Sequence, residues 1–173
     1  MSGEVVYALE RFRRDEPRVS PPTDRGRFEG ILDRHHRRLR RVVVGMVGPN
    51  GADDVLQEAY LKAYRRLPKR FANDAHEATW LYRVVYRCCL DELRRTRRSR
   101  ESPCAEIHGV GPPRLDVAHA LAALSPQDRA VLLLVDLLGL GYDEAAVVLG
   151  VPRGTVASRL NAARSRFRSS IDA

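Results

Sequence analysis

Apolar residues recur at steps of three and four along most of this chain, the spacing that places them on one face of an α-helix. The clearest case is residues 52–67, whose apolar positions form one stripe that ends at Pro68. Two further helices are predicted around it, from Phe28 to Val47 and from about residue 74 to 98. The third is apolar on more than one side between Trp80 and Leu93, which indicates a helix at the centre of a bundle or one that offers an apolar face to a ligand.

Two helix starts are predicted from capping chemistry. Asp74 and Glu77 have the spacing of a capping box. Ser125 is a favourable N-cap, and Pro126 fits the first helical position after it. The segment from Ala130 to Leu138 is apolar nearly all round, so we expect it to be buried.

The sharpest local pattern lies near the C-terminus. A short helix from Tyr142 to Leu149 is followed by Gly150, which permits the positive φ of a tight turn. A second helix then carries a stripe that faces the core, made of Val156, Leu160, Ala163 and Phe167. This order predicts a helix-turn-helix whose second helix enters the major groove of DNA.

Segments rich in proline and glycine divide the chain. We predict a flexible leader at 1–25, an N-terminal module at 26–98, a flexible linker at 99–115 and a C-terminal module at 116–173. No strand-like alternation of any length appears. The predicted fold is therefore all-α, with two small helical domains joined by a linker, the C-terminal one a helix-turn-helix.

Charge favours a polyanionic partner. The 173 residues carry a net charge of +8, and residues 26–102 alone hold 18 basic and 10 acidic residues. Nucleic acid is the first candidate and an anionic membrane surface the second. The longest apolar run, Ala130 to Val135, is far shorter than the roughly 18 residues of a membrane span, so no membrane insertion is expected. With three cysteines in no metal-binding spacing and no secretory signal, we expect a cytoplasmic protein.

Three surfaces are candidates for binding. On the last helix, the positions opposite the core stripe can reach bases or phosphates: Arg153, Ala157, Ser158, Asn161, with Arg159, Arg164 and Arg166 placed for phosphates. The alternatives are a solvated helix face or a hairpin that binds nothing. On the 52–67 helix, a polar face able to meet a basic partner holds Asp54, Gln57, Glu58, Leu61 and Arg65, although most such faces are only solvated. On the third helix, aromatic rings with interleaved cations suit stacking on single-stranded nucleic acid, equally balanced against a core role for the rings: Tyr82, Tyr86, Arg83, Arg87, Arg94, Arg95, Arg97 and Arg98.

No motif for catalysis is present. The chain lacks a nucleophile elbow, a phosphate-binding loop and a metal-binding pattern, so we expect no enzymatic activity, no metal and no cofactor. His35 and His36 are adjacent, point to different sides of a helix and receive no role. Cys88 and Cys89 are interpreted as small core residues.

The order of these elements resembles the bacterial RNA polymerase sigma factors of the extracytoplasmic-function group. The resemblance covers about residues 27–100 and 116–170. It is carried by four stretches in order: Ala52-Asp-Asp-Val-Leu-Gln-Glu-Ala-Tyr, Trp80-Leu-Tyr-Arg-Val, Leu90-Asp-Glu-Leu-Arg-Arg and Gly141-Tyr-Asp-Glu-Ala-Ala-Val-Val-Leu-Gly-Val-Pro-Arg-Gly-Thr-Val-Ala-Ser-Arg-Leu.

The resemblance implies a role for each surface. The N-terminal module would bind core RNA polymerase through the helix that holds Asp54, Gln57 and Glu58. It would also melt the minus-ten promoter element, with Tyr82, Tyr86, Arg87, Arg94 and Arg95 facing the non-template strand. The C-terminal module would read the minus-thirty-five element, with Arg153, Thr155, Ser158 and Arg159 at the DNA-facing positions. Residues 99–115 would thread through the polymerase, and an anti-sigma protein that wedges between the modules is an implied partner.

One position departs from the family pattern. The group often has Asn seven residues after the Trp, and this chain has Arg87 there, with Asp91 kept. Arginine could stack on a base or donate hydrogen bonds to it, which predicts an altered minus-ten preference.

Two other functions remain open from the residues. A helix-turn-helix regulator that binds DNA without polymerase explains residues 142–168, but not the polar face at 54–65 or the Tyr/Arg helix. A basic helical protein of membrane or RNA surfaces explains the net charge but not the helix-turn-helix spacing.

Overall fold

The computed structural model describes residues 22–100 and 115–171, which form helices and connecting turns without a strand. The helices are α1 (Pro22–Val47), α2 (Pro49–Arg65), α3 (Asp74–Arg100), α4 (Leu115–Ala123), α5 (Pro126–Leu132), α6 (Tyr142–Leu149) and α7 (Arg153–Ile171), and α5 continues into a π-helical segment, Leu133–Leu137. The all-α prediction is confirmed. The predicted leader and linker lie almost entirely outside the described residues.

The N-terminal module is a three-helix bundle. Helix α1 is already helical at Pro22, upstream of the predicted start at Phe28, because proline is tolerated in the first turn. A single residue, Gly48 at φ +89°, separates α1 from α2, and the ring of Pro49 fits the first position of the second helix. The core of the bundle is fully buried and includes Phe28 and Leu39.

One capping prediction is confirmed and the other is wrong. Ser125 Oγ accepts a hydrogen bond of 3.1 Å from the backbone N–H of Asp128, as expected. At α3 the cap is Asn73, whose Oδ1 accepts from the N–H of His76 at 2.9 Å. Glu77 does not complete a capping box, because its side chain turns toward α1 and becomes buried.

The two modules pack against each other. Leu133, Leu134 and Val148 of the C-terminal module belong to the same buried cluster as the core of the N-terminal bundle. Arg129 donates a hydrogen bond of 2.6 Å to the backbone oxygen of Met46, at the end of α1. The contact is close: a Cβ added at Gly45 would lie 2.9 Å from both Cδ atoms of Leu133. In this arrangement part of the C-terminal module packs into the core of the N-terminal bundle, and a second buried cluster forms the core of the helix-turn-helix unit.

Candidate nucleic-acid interface

The turn between α6 and α7 has helix-turn-helix geometry. Gly150 adopts φ +68°, and the N–H groups of Gly150 and Val151 donate to the oxygen of Ala146 at 2.8 and 3.1 Å. At the start of α6, the N–H of Gly141 donates to Glu144 Oε2 at 2.8 Å. Of the four residues predicted to face the core, Val156, Leu160 and Ala163 are fully buried and Phe167 is only partly buried. On α6, Ala145 and Val148 are no more than 2% exposed. The local fold therefore follows from glycine at the turn and small residues at the crossing.

The opposite face of α7 is open to solvent. Arg153, Ser158 and Asn161 are exposed, while Thr155, Ala157 and Arg159 are half-buried. Arg153 Nε lies 3.4 Å from Asp143 Oδ1, and both side chains are more than half exposed. Such a surface pair contributes about 0–1 kcal/mol, so the guanidinium can exchange this partner for a phosphate or a base.

Two further cations of α7 are held by carboxylates of their own module. Arg164 donates to both oxygens of Asp136, at 3.0 and 2.5 Å. Arg166 donates to Asp128 at 2.5 Å, where the carboxylate is nearly buried. Their predicted phosphate contacts would require these pairs to separate.

The aromatic rings of α3 are covered. Tyr82 and Tyr86 are only 4% and 8% exposed. Burial raises the pKa of both phenols, and the positive charges of Arg38 beside Tyr82 and Arg159 beside Tyr86 oppose that shift. The C-terminal module therefore contributes a cation next to a ring that the resemblance assigns to single-stranded DNA.

Unlike the two tyrosine rings, the arginines of α3 up to Arg98 remain exposed. A cleft of about 390 Å³ between α3 and the α6–α7 turn is lined by both modules, with Arg83, Arg87 and Arg94 on one side and Val148, Leu149 and Gly150 on the other. Arg94 pairs with Asp91 at 3.3 Å, and Arg95, outside the cleft, pairs with Glu92 at 2.6 Å. Candidate DNA-binding residues of α3 therefore line the same cleft as the turn that precedes α7.

The predicted polar face of α2 lies on the outside of the bundle. Asp54, Glu58 and Arg65 are exposed, and Gln57 and Leu61 are half-buried. The reverse face of the helix is fixed by six buried residues: Ala52, Val55, Leu56, Ala59, Tyr60 and Ala63. Because its inner face is tightly packed, α2 presents the outer side chains on a rigid support.

Comparison with known proteins gives this arrangement a family. Residues 31–99 match Sigma-70 region 2, and residues 114–167 match Sigma-70 region 4. The chain is 36% identical over 151 residues to the ECF RNA polymerase sigma factor SigM of Mycobacterium tuberculosis, covering 83% of this chain and 76% of that protein. This chain belongs to the extracytoplasmic-function (ECF) sigma factors. As such it is a transcription initiation factor that directs RNA polymerase to promoters, and sigma factors are not enzymes.

Other relatives agree with this family. This chain is 27% identical over 171 residues to the ECF sigma-E factor of Escherichia coli, and the match covers 86% of this chain and 88% of that protein. Its fold matches the sigma factor RpoE in complex with the anti-sigma factor NepR from Bartonella quintana, with a TM-score of 0.70, 24% identity and coverage of 84% and 96%. CnrH, in complex with the cytosolic domain of CnrY, gives a TM-score of 0.64 at 21% identity and coverage of 99% and 98%. None of the helices within the described ranges has the length and apolar character that crossing a bilayer needs.

Sequence reasoning missed a polar cluster around the buried carboxylate of Glu77. Glu77 Oε1 accepts from Arg34 Nη2 at 2.7 Å and lies 3.3 Å from His35 Nε2. The His35 ring packs edge-on against Tyr82 at 5.9 Å between centroids. His35 falls on the apolar stripe of α1, four residues before Leu39, and that spacing is the signal that could have found it. These contacts hold the face of α3 that carries Glu77 and Tyr82 against α1.

The largely covered imidazole of His35 makes stability depend on pH. Burial lowers the pKa of His35 below its ordinary value of 6.5, against the opposing hydrogen bond and charge of Glu77, while Arg34 and Arg38 add to the lowering. Nδ1 is buried without a hydrogen-bond partner among the described residues. The unfolded chain therefore takes up a proton at a higher pH than the folded chain, and the free energy of unfolding falls as the pH drops below 6.5 toward the folded pKa.

We expect His35→Gln to flatten this dependence, because the amide does not titrate in this range. The wild type should lose up to about 1.4 kcal/mol of unfolding free energy per pH unit below 6.5 relative to the variant. Urea unfolding at several pH values between 5 and 8 would measure it. His119→Gln, at an exposed histidine, is the control and should follow the wild type. Parallel curves for wild type and His35→Gln would contradict the prediction.

Proposed function

We propose that this sigma factor binds core RNA polymerase through the outward face of α2 and promoter DNA through α3 and α7. The observation that supports the assignment best is where the two family matches fall. Region 2 falls on the three-helix bundle with its exposed acidic face, and region 4 falls on the helix-turn-helix unit with its exposed polar face. A polymerase-independent regulator would need only the second match, so the comparisons do not support that alternative.

The polymerase contact is assigned to the exposed acidic turn of α2. Asp54 and Glu58 are one helical turn apart and both exposed, with Gln57 between them. Glu58 pairs with Lys62 at 2.7 Å, and both groups are substantially exposed, so a basic partner can compete for the carboxylate. Exposed charges at the edge of a protein interface affect the association rate and the choice of partner more than the final affinity.

The minus-thirty-five contact is assigned to the first turns of α7. The N-terminal part of a recognition helix enters the major groove, and Arg153, Thr155, Ser158 and Asn161 lie there. Arginine can bond guanine, and serine or asparagine can bond other base edges. Ala157 offers a methyl group to thymine, while Arg159 and Arg164 would contact phosphate.

The minus-ten contact requires the modules to separate. Tyr82 and Tyr86 can stack on bases only when exposed, and both are buried. Tyr86 lines the cleft between α3 and the α6–α7 turn, whereas the Tyr82 ring packs against His35 of α1. We therefore assign the packed arrangement to the free protein and an opened one to the promoter complex. Polymerase that holds both modules apart would supply the effective concentration that lets two weak DNA contacts act together.

Arg87 is proposed to set the base preference of the minus-ten element. It is exposed and lines the cleft beside Tyr86. We expect Arg87→Asn to change the ratio of transcription between promoters that differ in one minus-ten base by about tenfold. The reason is that a bidentate arginine contact is worth roughly 1–3 kcal/mol of discrimination between bases. Transcription from a randomised minus-ten library would measure it. Arg95→Asn is the control and should lower transcription from all promoters of the library by the same factor. An unchanged promoter choice for Arg87→Asn would refute the assignment.

An anti-sigma partner and a cytoplasmic location complete the proposal. The RpoE neighbour was solved with an anti-sigma factor, and we propose that this chain is also held inactive by such a protein. We place its activity in the bacterial cytoplasm, where core RNA polymerase and promoter DNA are found.

Transcription in vitro tests the proposed function directly. Core RNA polymerase and a pool of genomic fragments should give discrete new start sites only when the sigma factor is added. The variant Asp54→Lys/Glu58→Lys should lose most core binding and most starts, whereas Asp33→Lys, at an exposed acid of α1, should lose neither. An absence of starts together with no core binding by the unaltered chain would reject the proposal.

A further inference from the structure

A large groove lies where the two modules meet, and Arg164 is the one residue it shares with the proposed DNA and polymerase surfaces among the described residues. It is a groove of about 1540 Å³, with walls from α1, the end of α3, α4, the π-helical segment and α7. Small-molecule sites typically measure about 300–1,000 Å³, so this groove is larger than such a ligand needs. Its size fits a length of polypeptide.

The floor of the groove is apolar and partly exposed. It includes Val44, Leu93, Leu121 and Phe167 together with Val117 and Ile171. Among the described residues, three large apolar side chains are strongly exposed, and two of them are Val117 at 51% and Ile171 at 42%. Exposed apolar side chains gathered in one groove indicate a surface that another segment covers.

The rim of the groove is positively charged. Arg37, Arg41 and Arg168 line it, and no carboxylate of the described residues pairs with them. The acids at the rim are already engaged, Glu92 by Arg95 at 2.6 Å and Asp136 by Arg164 at 2.5 Å. The groove therefore favours an occupant that is apolar and acidic.

A segment of that composition exists in this chain, outside the described residues. Residues 1–10, Met-Ser-Gly-Glu-Val-Val-Tyr-Ala-Leu-Glu, carry two acids and no basic side chain. We propose that residues 1–10 dock in the groove between the modules, with Val5, Val6 and Leu9 on the apolar floor and Glu4 and Glu10 at the arginine rim. This goes beyond the proposed function, since neither the DNA nor the polymerase contact requires it.

The tether is long enough for this docking. Along α1, Arg37 lies 15 residues after Pro22, or about 22 Å at 1.5 Å per residue. Residues 11–21 can span about 36 Å when extended. A short tether also gives an effective concentration in the millimolar range, so even a weak contact is populated. Because both modules line the groove, the docked segment would hold them in the packed arrangement.

Photocrosslinking in the full chain tests the docking without polymerase or DNA. A benzophenone amino acid in place of Leu9 should crosslink to α4 and the end of α7, mapped by mass spectrometry. The same group in place of Val19 is the position control and should not give these products. The variant Val117→Asp/Ile171→Asp should lower the yield by about tenfold, equivalent to 1.4 kcal/mol. Val147→Asp is its matched control, because Val147 is the third exposed side chain, at 53%, and lies outside the groove.

Two results would overturn the proposal. One is a set of crosslinks outside the groove, or a yield that Val117→Asp/Ile171→Asp leaves unchanged. The other is seen in an equal mixture of ¹⁴N- and ¹⁵N-labelled chains, where mixed-mass products making up about half of the total would show that a second copy supplies the segment. Glu4→Lys/Glu10→Lys should also reduce the crosslink yield. Equal yields for this variant and the wild type would contradict the proposed contact of Glu4 and Glu10 with the arginine rim.

Discussion

Replacing Leu160 with alanine is expected to lower the free energy of unfolding by about 2–5 kcal/mol. Leu160 is fully buried on α7 and belongs to a cluster with Leu124, Val131 and Val156 that holds the helix-turn-helix unit together. The module is small, so few neighbours can move to fill the space that the missing side chain leaves. Urea unfolding followed by helical circular dichroism would measure the change.

The adjacent residue supplies the matched control. Asn161 is exposed on the proposed DNA face, and Asn161→Ala should change the unfolding free energy by no more than about 0.5 kcal/mol. If it contacts a base, the same variant should lower discrimination among minus-thirty-five sequences by about 1–3 kcal/mol. Equal losses of stability in the two variants would contradict the assignment of one position to the core and the other to the DNA face.

Much of the local structure could be predicted from the sequence, because the deciding interactions are local. The stripe of Val156, Leu160 and Ala163 shows which face of α7 is buried, whatever it packs against. Gly150 predicts a left-handed turn because other residues are strained there. Ser125 predicts its cap since the hydroxyl oxygen and the backbone N–H that donates to it are three residues apart.

Long-range contacts could not be predicted in the same way. The apolar run from Ala130 to Leu138 indicates burial, yet it does not show that Leu133 would pack on Gly45. The same limit applies to Glu77, where a local capping box competes with Arg34 and His35 from another helix, and the distant partners win. For Tyr82 and Tyr86, periodicity left a core role and a DNA-binding role equally open. The burial of Tyr86 in the cleft between the modules allows both roles for that ring, one in each arrangement, whereas Tyr82 packs against His35 of α1.

A wedge at the contact between the modules should expose Tyr86, which is proposed to contact the minus-ten strand. We expect Gly45→Leu to force α1 away from the π-helical segment, because even a Cβ there lies 2.9 Å from the Leu133 side chain. Overpacking of this kind costs about 1–3 kcal/mol, which shifts the equilibrium toward separated modules by about 5- to 150-fold. Leucine is also a better helix former than glycine, so α1 itself gains stability. Small-angle scattering should show a larger radius of gyration, and binding of a labelled single-stranded oligonucleotide should tighten.

Two comparisons separate opening from other effects. Gly26→Leu gives α1 a similar gain in helix propensity, but a Cβ at Gly26 meets no atom within 4 Å, so the modules should remain packed and DNA binding should not change. Adding Tyr86→Ala to Gly45→Leu should remove most of the gained affinity, because stacking on one ring is worth about 1–3 kcal/mol per base. If the double variant keeps the gain, the tyrosine is not the group that opening exposes. If Gly45→Leu expands the chain without any gain, the packed arrangement does not restrain DNA binding. A gain that depends on both residues would mean that the buried state of Tyr86 controls when this sigma factor can capture an unpaired strand.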